Sequence, residues 1–92
     1  MSTLHIISSL EQLSVALPFI SNDDHLLLIQ QAAYLALAEH PKKSLLEKVN
    51  SYSFLDTDLL SRGLIQRHDS QAISMAGFVE LTARHSKSIH WG

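Results

Sequence analysis

The sequence predicts an α/β domain in which a mostly parallel sheet of four to five strands carries helices on its faces. Two observations support this fold class. Short apolar runs alternate along the chain with longer stretches of helical periodicity, and no repeat, low-complexity tract or linker interrupts the alternation. Strands that alternate with helices favour parallel pairing, because each crossover helix carries the chain back to the same end of the sheet. With 92 residues the chain has room for one domain, which is predicted to span residues 1–92.

The predicted strands are short and apolar. Thr3–Ser8 has the length and branched side chains of a buried strand, and His25–Ile29 is a continuous apolar run typical of a strand covered on both faces. Right-handed crossovers between such strands make the general form Rossmann-like or flavodoxin-like. The other predicted strands are one that starts at Tyr52 and runs into Asp56, then Ala72–Ala76, then Ile89–Trp91.

Capping and turn residues predict where the helices begin and end. Ser9, followed three residues later by Gln12, forms a capping-box pattern that opens a first helix ending near Ile20. Gly63 suits the position just after a helix, where a positive φ is needed. The other predicted helices span Gln31–Glu39 with Pro41 as its stop, Lys42–Lys48, Asp56 or Thr57 through Arg62, and Gly77–His85.

Composition excludes several classes of function. Seven Lys and Arg stand against nine Asp and Glu, and only Lys42–Lys43 places two basic residues together. Strong direct binding to nucleic acid is therefore not expected. The chain has no cysteine, which excludes disulfides, thiolate metal sites and cysteine nucleophiles. No apolar run approaches the roughly 18 residues of a membrane span, and Met1–Ile7 lacks the features of a signal peptide, so the cytoplasm is the expected location.

Patterns that carry catalytic or metal chemistry are weak in this chain. There is no G-x-G-x-x-G, no P-loop and no G-x-S-x-G elbow. Asp56-Thr57-Asp58 follows a predicted strand, at the end of the sheet where ligands bind in open α/β folds. Two carboxylates and a hydroxyl there could bind Mg²⁺ or act in general acid–base catalysis. The alternative, which is favoured, is that these residues cap the next helix. The six histidines show no metal-ligand spacing and are interpreted as element-end residues: His5, His25, His40, His68, His85 and His90. No catalytic residue, metal or cofactor is predicted.

Several features predict instead a protein that binds other proteins. Only 17% of the residues are charged, against about 25% on average, which leaves a small domain with little solvating surface. Trp91 lies next to the end of the sequence, where it either docks within the chain or anchors an interface. Gln30 closes a predicted strand, where it either bonds a partner or satisfies the local backbone. The predicted partner-binding residues are Trp91, Gln30, Tyr34 and Phe78.

The order of the motifs resembles that of the TusB/DsrH family over essentially the whole chain. Members of that family typically begin L-H-T, continue with L-L-L-x-[QE]-D-G-V, D-L-x-A-R-G-L and F-V-x-L-T, and end in a tryptophan. The corresponding segments here are Leu4-His5-Ile6-Ile7, Leu26 to Gln30, Asp58-Leu59-Leu60-Ser61-Arg62-Gly63-Leu64, Phe78-Val79-Glu80-Leu81-Thr82, and Trp91.

The resemblance implies a DsrE-like fold and a place in a sulfur-relay complex with TusC-like and TusD-like subunits. Such a complex passes persulfide sulfur toward 2-thiolation of the tRNA wobble uridine. Two departures stand out: Gln31-Ala32-Ala33 replaces the family's Asp-Gly-Val, and the cysteine that DsrH-type members carry near the first helix is missing. Because sulfur transfer needs a thiolate, the expected function is that of a non-catalytic subunit, with a homo-oligomer as an option when partners are absent. The alternative is a small α/β ligand-binding or protein-interaction module unrelated to sulfur transfer.

Overall fold

A computed structural model describes residues 2–36, 43–64 and 72–91. Within these ranges the chain alternates strands and helices, as predicted. The strands are β1 (Thr3–Ile7), β2 (His25–Leu28), β3 (Tyr52–Leu55), β4 (Ala72–Ile73) and β5 (Lys87–Trp91). The α-helices are α1 (Leu10–Ala16), α2 (Asp56–Ser61) and α3 (Met75–Arg84), and 3-10 helices span Leu17–Phe19, Gln30–Ala36 and Lys43–Lys48.

The described strands form one five-stranded sheet in the order β4-β3-β2-β1-β5. All four neighbouring pairs run parallel, which confirms the α/β class. β1 lies between β2 and β5, so Ile7 is level with both Leu28 and Trp91. The carboxyl ends of the central strands therefore meet at one edge of the sheet, the edge at which open parallel sheets place their functional groups.

The two faces of the sheet are covered unequally. On one face α1 and the 3-10 helices enclose the larger core, which includes Ile7, Leu13, Leu28 and Phe54. On the other face α3 covers a smaller core of Leu4, Leu27 and Leu81, with half-buried apolar residues packed against it. The predicted covering of β2 on both faces is confirmed, since Leu26, Leu27 and Leu28 are all fully buried.

Three local predictions are confirmed by the geometry of helix ends. The Ser9 side chain accepts a hydrogen bond from the Gln12 N–H, which satisfies one of the free donors at the start of α1. Gly63 follows α2 with φ of 70°, a conformation that glycine adopts without the steric cost of a Cβ atom. Pro18 lies in the 3-10 turn that ends α1, so the first helical segment stops close to Ile20 as predicted.

Other predicted helices and strands have different bounds in the structure. The helix predicted over Gln31–Glu39 is a 3-10 helix over Gln30–Ala36, and its predicted end, Pro41 and Lys42 lie outside the described residues. The helical turns predicted over Lys42–Lys48 form a 3-10 helix over Lys43–Lys48. The fourth strand ends at Ile73 because Ser74 caps a helix that begins two residues earlier than expected. β5 begins at Lys87 rather than Ile89, which makes it a full partner for β1.

The first turn of α2 also differs from the prediction. Asp56 and Thr57 were the expected caps, yet the N-cap position is Leu55 and no side chain bonds there. Asp56 and Asp58 lie inside the first turn, where their negative charge favours the positive end of the helix. No described helix is long and apolar enough to cross a membrane.

Candidate functional site

A polar cluster lies at the carboxyl edge of the sheet, where β2 and β3 end. One carboxylate oxygen of Asp58 accepts a hydrogen bond from the Gln30 N–H at 2.9 Å, and the other lies 3.5 Å from the Arg62 guanidinium. The same guanidinium lies 5.8 Å from the centroid of the Tyr34 ring, within the range of a cation–π contact. Asp58 thus connects the 3-10 helix after β2 to the helix after β3. The surface formed by Gln30, Tyr34, Asp58 and Arg62 is called the β2–β3 surface below.

Gln30 carries the only positive φ of a non-glycine residue in the described part of the chain, at 50°. A left-handed conformation costs an ordinary residue about 1–2 kcal/mol, and such residues gather at functional positions. The bond to Asp58 holds the backbone in this conformation, and the Ala32 N–H donates to the Ile29 carbonyl to start the 3-10 helix. The Gln30 side chain is left exposed at the edge of the sheet.

Replacing Gln30 by valine is expected to lower the free energy of unfolding by about 1–2 kcal/mol, because a β-branched residue tolerates a positive φ poorly. Gln30→Gly should not lower it, since glycine adopts this conformation freely. Urea denaturation of the wild-type protein, Gln30→Val and Gln30→Gly measures these differences in the free energy of unfolding. Gln31→Val is the matched control, because Gln31 is also exposed but has no positive φ. Equal losses for the valine variants at both positions would contradict this account of Gln30.

A second, buried cluster fixes Trp91 to β1. The Trp91 indole N–H donates to His5 Nδ1 at 3.0 Å, and His5 Nε2 lies 2.8 Å from a carboxylate oxygen of Asp24. An indole nitrogen can only donate, so Nδ1 must offer its lone pair, and the proton of His5 belongs on Nε2, where it is donated to Asp24. His5 and Asp24 are 1% and 5% exposed.

The Asp24 carboxylate accepts three hydrogen bonds. Its carboxylate accepts the backbone N–H groups of Thr3 and Ser21, each at 2.9 Å, in addition to the proton of His5. Burial by itself raises the pKa of Asp24, but these hydrogen bonds, which favour the charged carboxylate, outweigh burial and lower the pKa below its ordinary value of 3.8. The three segments that Asp24 joins are the start of β1, the turn before β2 and, through His5, the end of β5.

The structure brings only two of the predicted partner-binding residues together. Gln30 and Tyr34 share the β2–β3 surface, and Tyr34 is 38% exposed. Trp91 lies at the carboxyl end of β5, with β1 between it and β2. It is half-buried against the larger core, so docking within the chain, one of its two predicted functions, is confirmed. Phe78 lies on α3 against the smaller core, on the opposite face of the sheet.

A third polar group lies at the amino end of β2, beneath the end of α3. The Ser51 hydroxyl donates to the Asp24 carbonyl, so it accepts the Nδ1 proton of His25 at 3.0 Å. The remaining nitrogen, Nε2, then accepts from the Ser53 hydroxyl at 2.9 Å. The His85 ring lies 6.1 Å away, centroid to centroid. Burial, and next the nearby positive charges of His85 and Arg84, lower the pKa of His25 below its ordinary 6.5.

Stability is expected to fall as the pH drops below 6.5, because the unfolded chain then protonates His25 more readily than the folded chain does. The contribution of His25 to stability is fully present above its unfolded-state pKa. It is lost as the pH falls from that pKa toward the lower pKa of the folded state. Thermal melts between pH 7.5 and 5.5 measure the fall. His25→Gln should flatten this part of the profile, while replacing the exposed His90 by Gln should retain it. An unchanged profile in His25→Gln would contradict this account of His25.

Metal and acid–base chemistry finds no support at the predicted carboxylates. Asp58 is engaged by Gln30 and Arg62, and the described residues contain no group of three or more metal-ligating side chains. Sequence reasoning missed Asp24 as a structural centre and Arg62 as the partner of Tyr34. The one available signal for Asp24 was its place just before a strand that runs parallel to the strand of His5.

These features define a small α/β protein with a polar cluster at the edge of its sheet and a tryptophan that is hydrogen-bonded to a buried histidine. A model of the family described as DsrH like protein matches residues 8–88, and the chain therefore belongs to the DsrH-like family. It is 35% identical over 82 residues to Protein TusB of Yersinia pestis (strain Pestoides F). The same identity is found with Protein TusB of Yersinia pseudotuberculosis serotype O:1b (strain IP 31758), and in both cases 86% of each chain is covered.

Proposed function

We propose that this chain is a non-catalytic subunit of a sulfur-relay complex. In this complex TusC-like and TusD-like subunits accompany it, and persulfide sulfur is passed on for 2-thiolation of the tRNA wobble uridine. The observation that carries the proposal is the combination of membership in the DsrH-like family with a sequence that has no cysteine. Transfer of sulfur as a persulfide needs a thiolate to receive and release it. The carrier thiol of the complex therefore belongs to another subunit, and the site of action is the cytoplasm.

The β2–β3 surface supports a function in binding partner subunits. Tyr34 and Gln30 are both exposed on the 3-10 helix after β2, and the Asp58 carboxylate accepts a hydrogen bond from the Gln30 N–H. Exposed aromatic and arginine side chains are enriched in protein interfaces. Phe78 and Trp91 contribute in a different way. Both are half-buried and stabilise the sheet that carries this surface.

Co-expression of this chain with TusC-like and TusD-like proteins from the same organism tests the proposal. We expect the three to co-purify as one complex, and we expect persulfide delivery by the TusD-like subunit to drop when this chain is left out. A matched pair of variants locates the contact: Tyr34→Ala should weaken assembly, and Val79→Ala, an exposed apolar residue on α3, should not. Separate elution of the three proteins, or equal sulfur delivery with and without this chain, would refute the proposal.

A further inference from the structure

We propose that the outer edge of β5 is a strand-docking site for an extended, acidic segment of a partner protein, which pairs with β5 as a sixth strand. This inference rests on the proposed function, since the segment belongs to another subunit of the proposed complex. It concerns a surface two strands away from the β2–β3 surface, on the far side of β1.

The first support is the position of β5 in the sheet. β5 pairs with β1 along five residues on its inner side, and no described residue pairs with its outer side, because β5 is the last strand in the order. The opposite edge, β4, has only two residues. An edge strand presents a row of backbone N–H and C=O groups, and an added strand is the ligand whose hydrogen bonds match that row.

The second support is an aromatic pair at the carboxyl end of β5. The Phe19 ring lies 5.6 Å from the Trp91 ring, centroid to centroid, and Phe19 is 64% exposed. Trp91 is held in place by its hydrogen bond to the buried His5. A rigid indole with an exposed phenyl ring against it provides a place for an apolar side chain of the added strand, and anchors of this kind supply much of the binding energy in interfaces.

The third support is charge. β5 carries one formally charged residue, Lys87, and no Asp or Glu, although the whole chain has a net charge of −2. Lys87 is exposed at the start of β5. A lysine on an edge strand discourages indiscriminate pairing, and here it selects an acidic strand. A second copy of β5 offers no carboxylate to Lys87, so charge complementarity favours a different, acidic chain.

Hydrogen exchange followed by mass spectrometry, in the free chain and in the co-purified complex, tests the proposal. We expect the amides of Lys87–Trp91 to gain at least about tenfold protection in the complex, because those that face outward have no strand partner in the free chain. Lys87→Glu should weaken assembly about tenfold at low salt, and this loss should shrink at high salt, since the attraction is electrostatic.

A matched pair of substitutions tests the aromatic anchor. Phe19→Ser should weaken the complex, whereas Val79→Ser should not, because Val79 is similarly exposed, at 65%, but lies on α3. Thermal melts of both variants check that each is folded, so that a loss of assembly can be assigned to the loss of the Phe19 contact with the partner.

Each other outcome overturns a defined part of the proposal. A complex that forms with unchanged exchange in β5 refutes strand docking while the proposed function stands. Protection of β5 that depends on the concentration of the free chain, with a dimer seen by light scattering, assigns the edge to a second copy and refutes the acidic partner. Failure of the subunits to co-purify refutes the proposed function, and it also refutes the docking site, which depends on that function.

Discussion

Replacing Asp24 by alanine is expected to lower the free energy of unfolding by about 3–5 kcal/mol, because each hydrogen bond to a charged carboxylate contributes about 1.5–3 kcal/mol and three are lost. The Asp24 carboxylate accepts from Thr3, Ser21 and His5, and alanine leaves all three donors without an acceptor. A chain of this length has a total stability of roughly 5–14 kcal/mol, so the loss is a large share of it. Urea denaturation followed by circular dichroism measures the change.

Asp23→Ala provides the control for Asp24→Ala. The two aspartates are adjacent, but Asp23 is exposed, and its replacement should change stability by no more than about 0.5 kcal/mol. Asp24→Asn removes the charge but keeps the shape of the side chain. Because the amide retains one acceptor oxygen, this variant should lose less stability than Asp24→Ala. Similar losses for Asp23→Ala and Asp24→Ala would show that Asp24 does not organise the three segments.

The pH profile gives an independent check on Asp24. Because its pKa is lowered in the folded state, its contribution is present above the ordinary value of 3.8 and is lost as the pH falls through the lowered value. The wild-type protein should therefore lose stability as the pH falls from 3.8 toward the lowered value. Asp24→Asn should reduce this slope, and it should leave unchanged the separate fall below pH 6.5 that comes from His25.

Replacing His5 by alanine is expected to lower the free energy of unfolding by about 3 kcal/mol, because the substitution leaves a cavity and removes a partner from two groups. Asp24 loses the proton it accepts from His5, and the Trp91 indole loses its acceptor. Since Trp91 is the only tryptophan, its fluorescence reports directly on this site. A red shift of the emission is expected as the ring becomes more hydrated.

His90→Ala is the matched control for His5→Ala. His90 is next to Trp91 on β5 but is exposed, so its loss should leave both stability and Trp91 emission nearly unchanged. A double-mutant cycle between His5 and Asp24 should give a coupling of about 1–3 kcal/mol, since the two side chains are in direct contact. Additive effects would contradict the hydrogen-bonded chain from Asp24 through His5 to Trp91.

Much of the fold could be predicted from local patterns. The run from Leu26 to Leu28 is apolar at every position, which is typical of a parallel strand buried on both faces, and all three residues are fully buried. Ser9 and Gly63 mark helix ends because the hydrogen bond of a cap and the positive φ of a helix end depend on single residue types. Such features need only neighbours in sequence, and sequence therefore reveals them.

Other features escaped prediction because they depend on residues far apart in the chain. Asp24 looked like one of several polar turn residues, and its importance comes from contact with His5, 19 residues away. Gln30 has no sequence signal for a positive φ, since the conformation is held by the Asp58 carboxylate, 28 residues further on. The apolar pattern of this segment predicts a helix, but it does not predict that the helix over Gln30–Ala36 is of the 3-10 kind.

The sequence by itself determined the class of this protein: an α/β chain with a parallel sheet, membership in the DsrH-like family and, through the missing cysteine, the absence of a thiol that could carry sulfur. The tertiary structure alone decided which surfaces are available. It joined Gln30 to Asp58, bonded Trp91 to His5, and left β5 at the edge of the described sheet. The reason is physical. Periodicity and capping act within a few residues, whereas exposure and hydrogen bonding between strands arise only when distant segments meet.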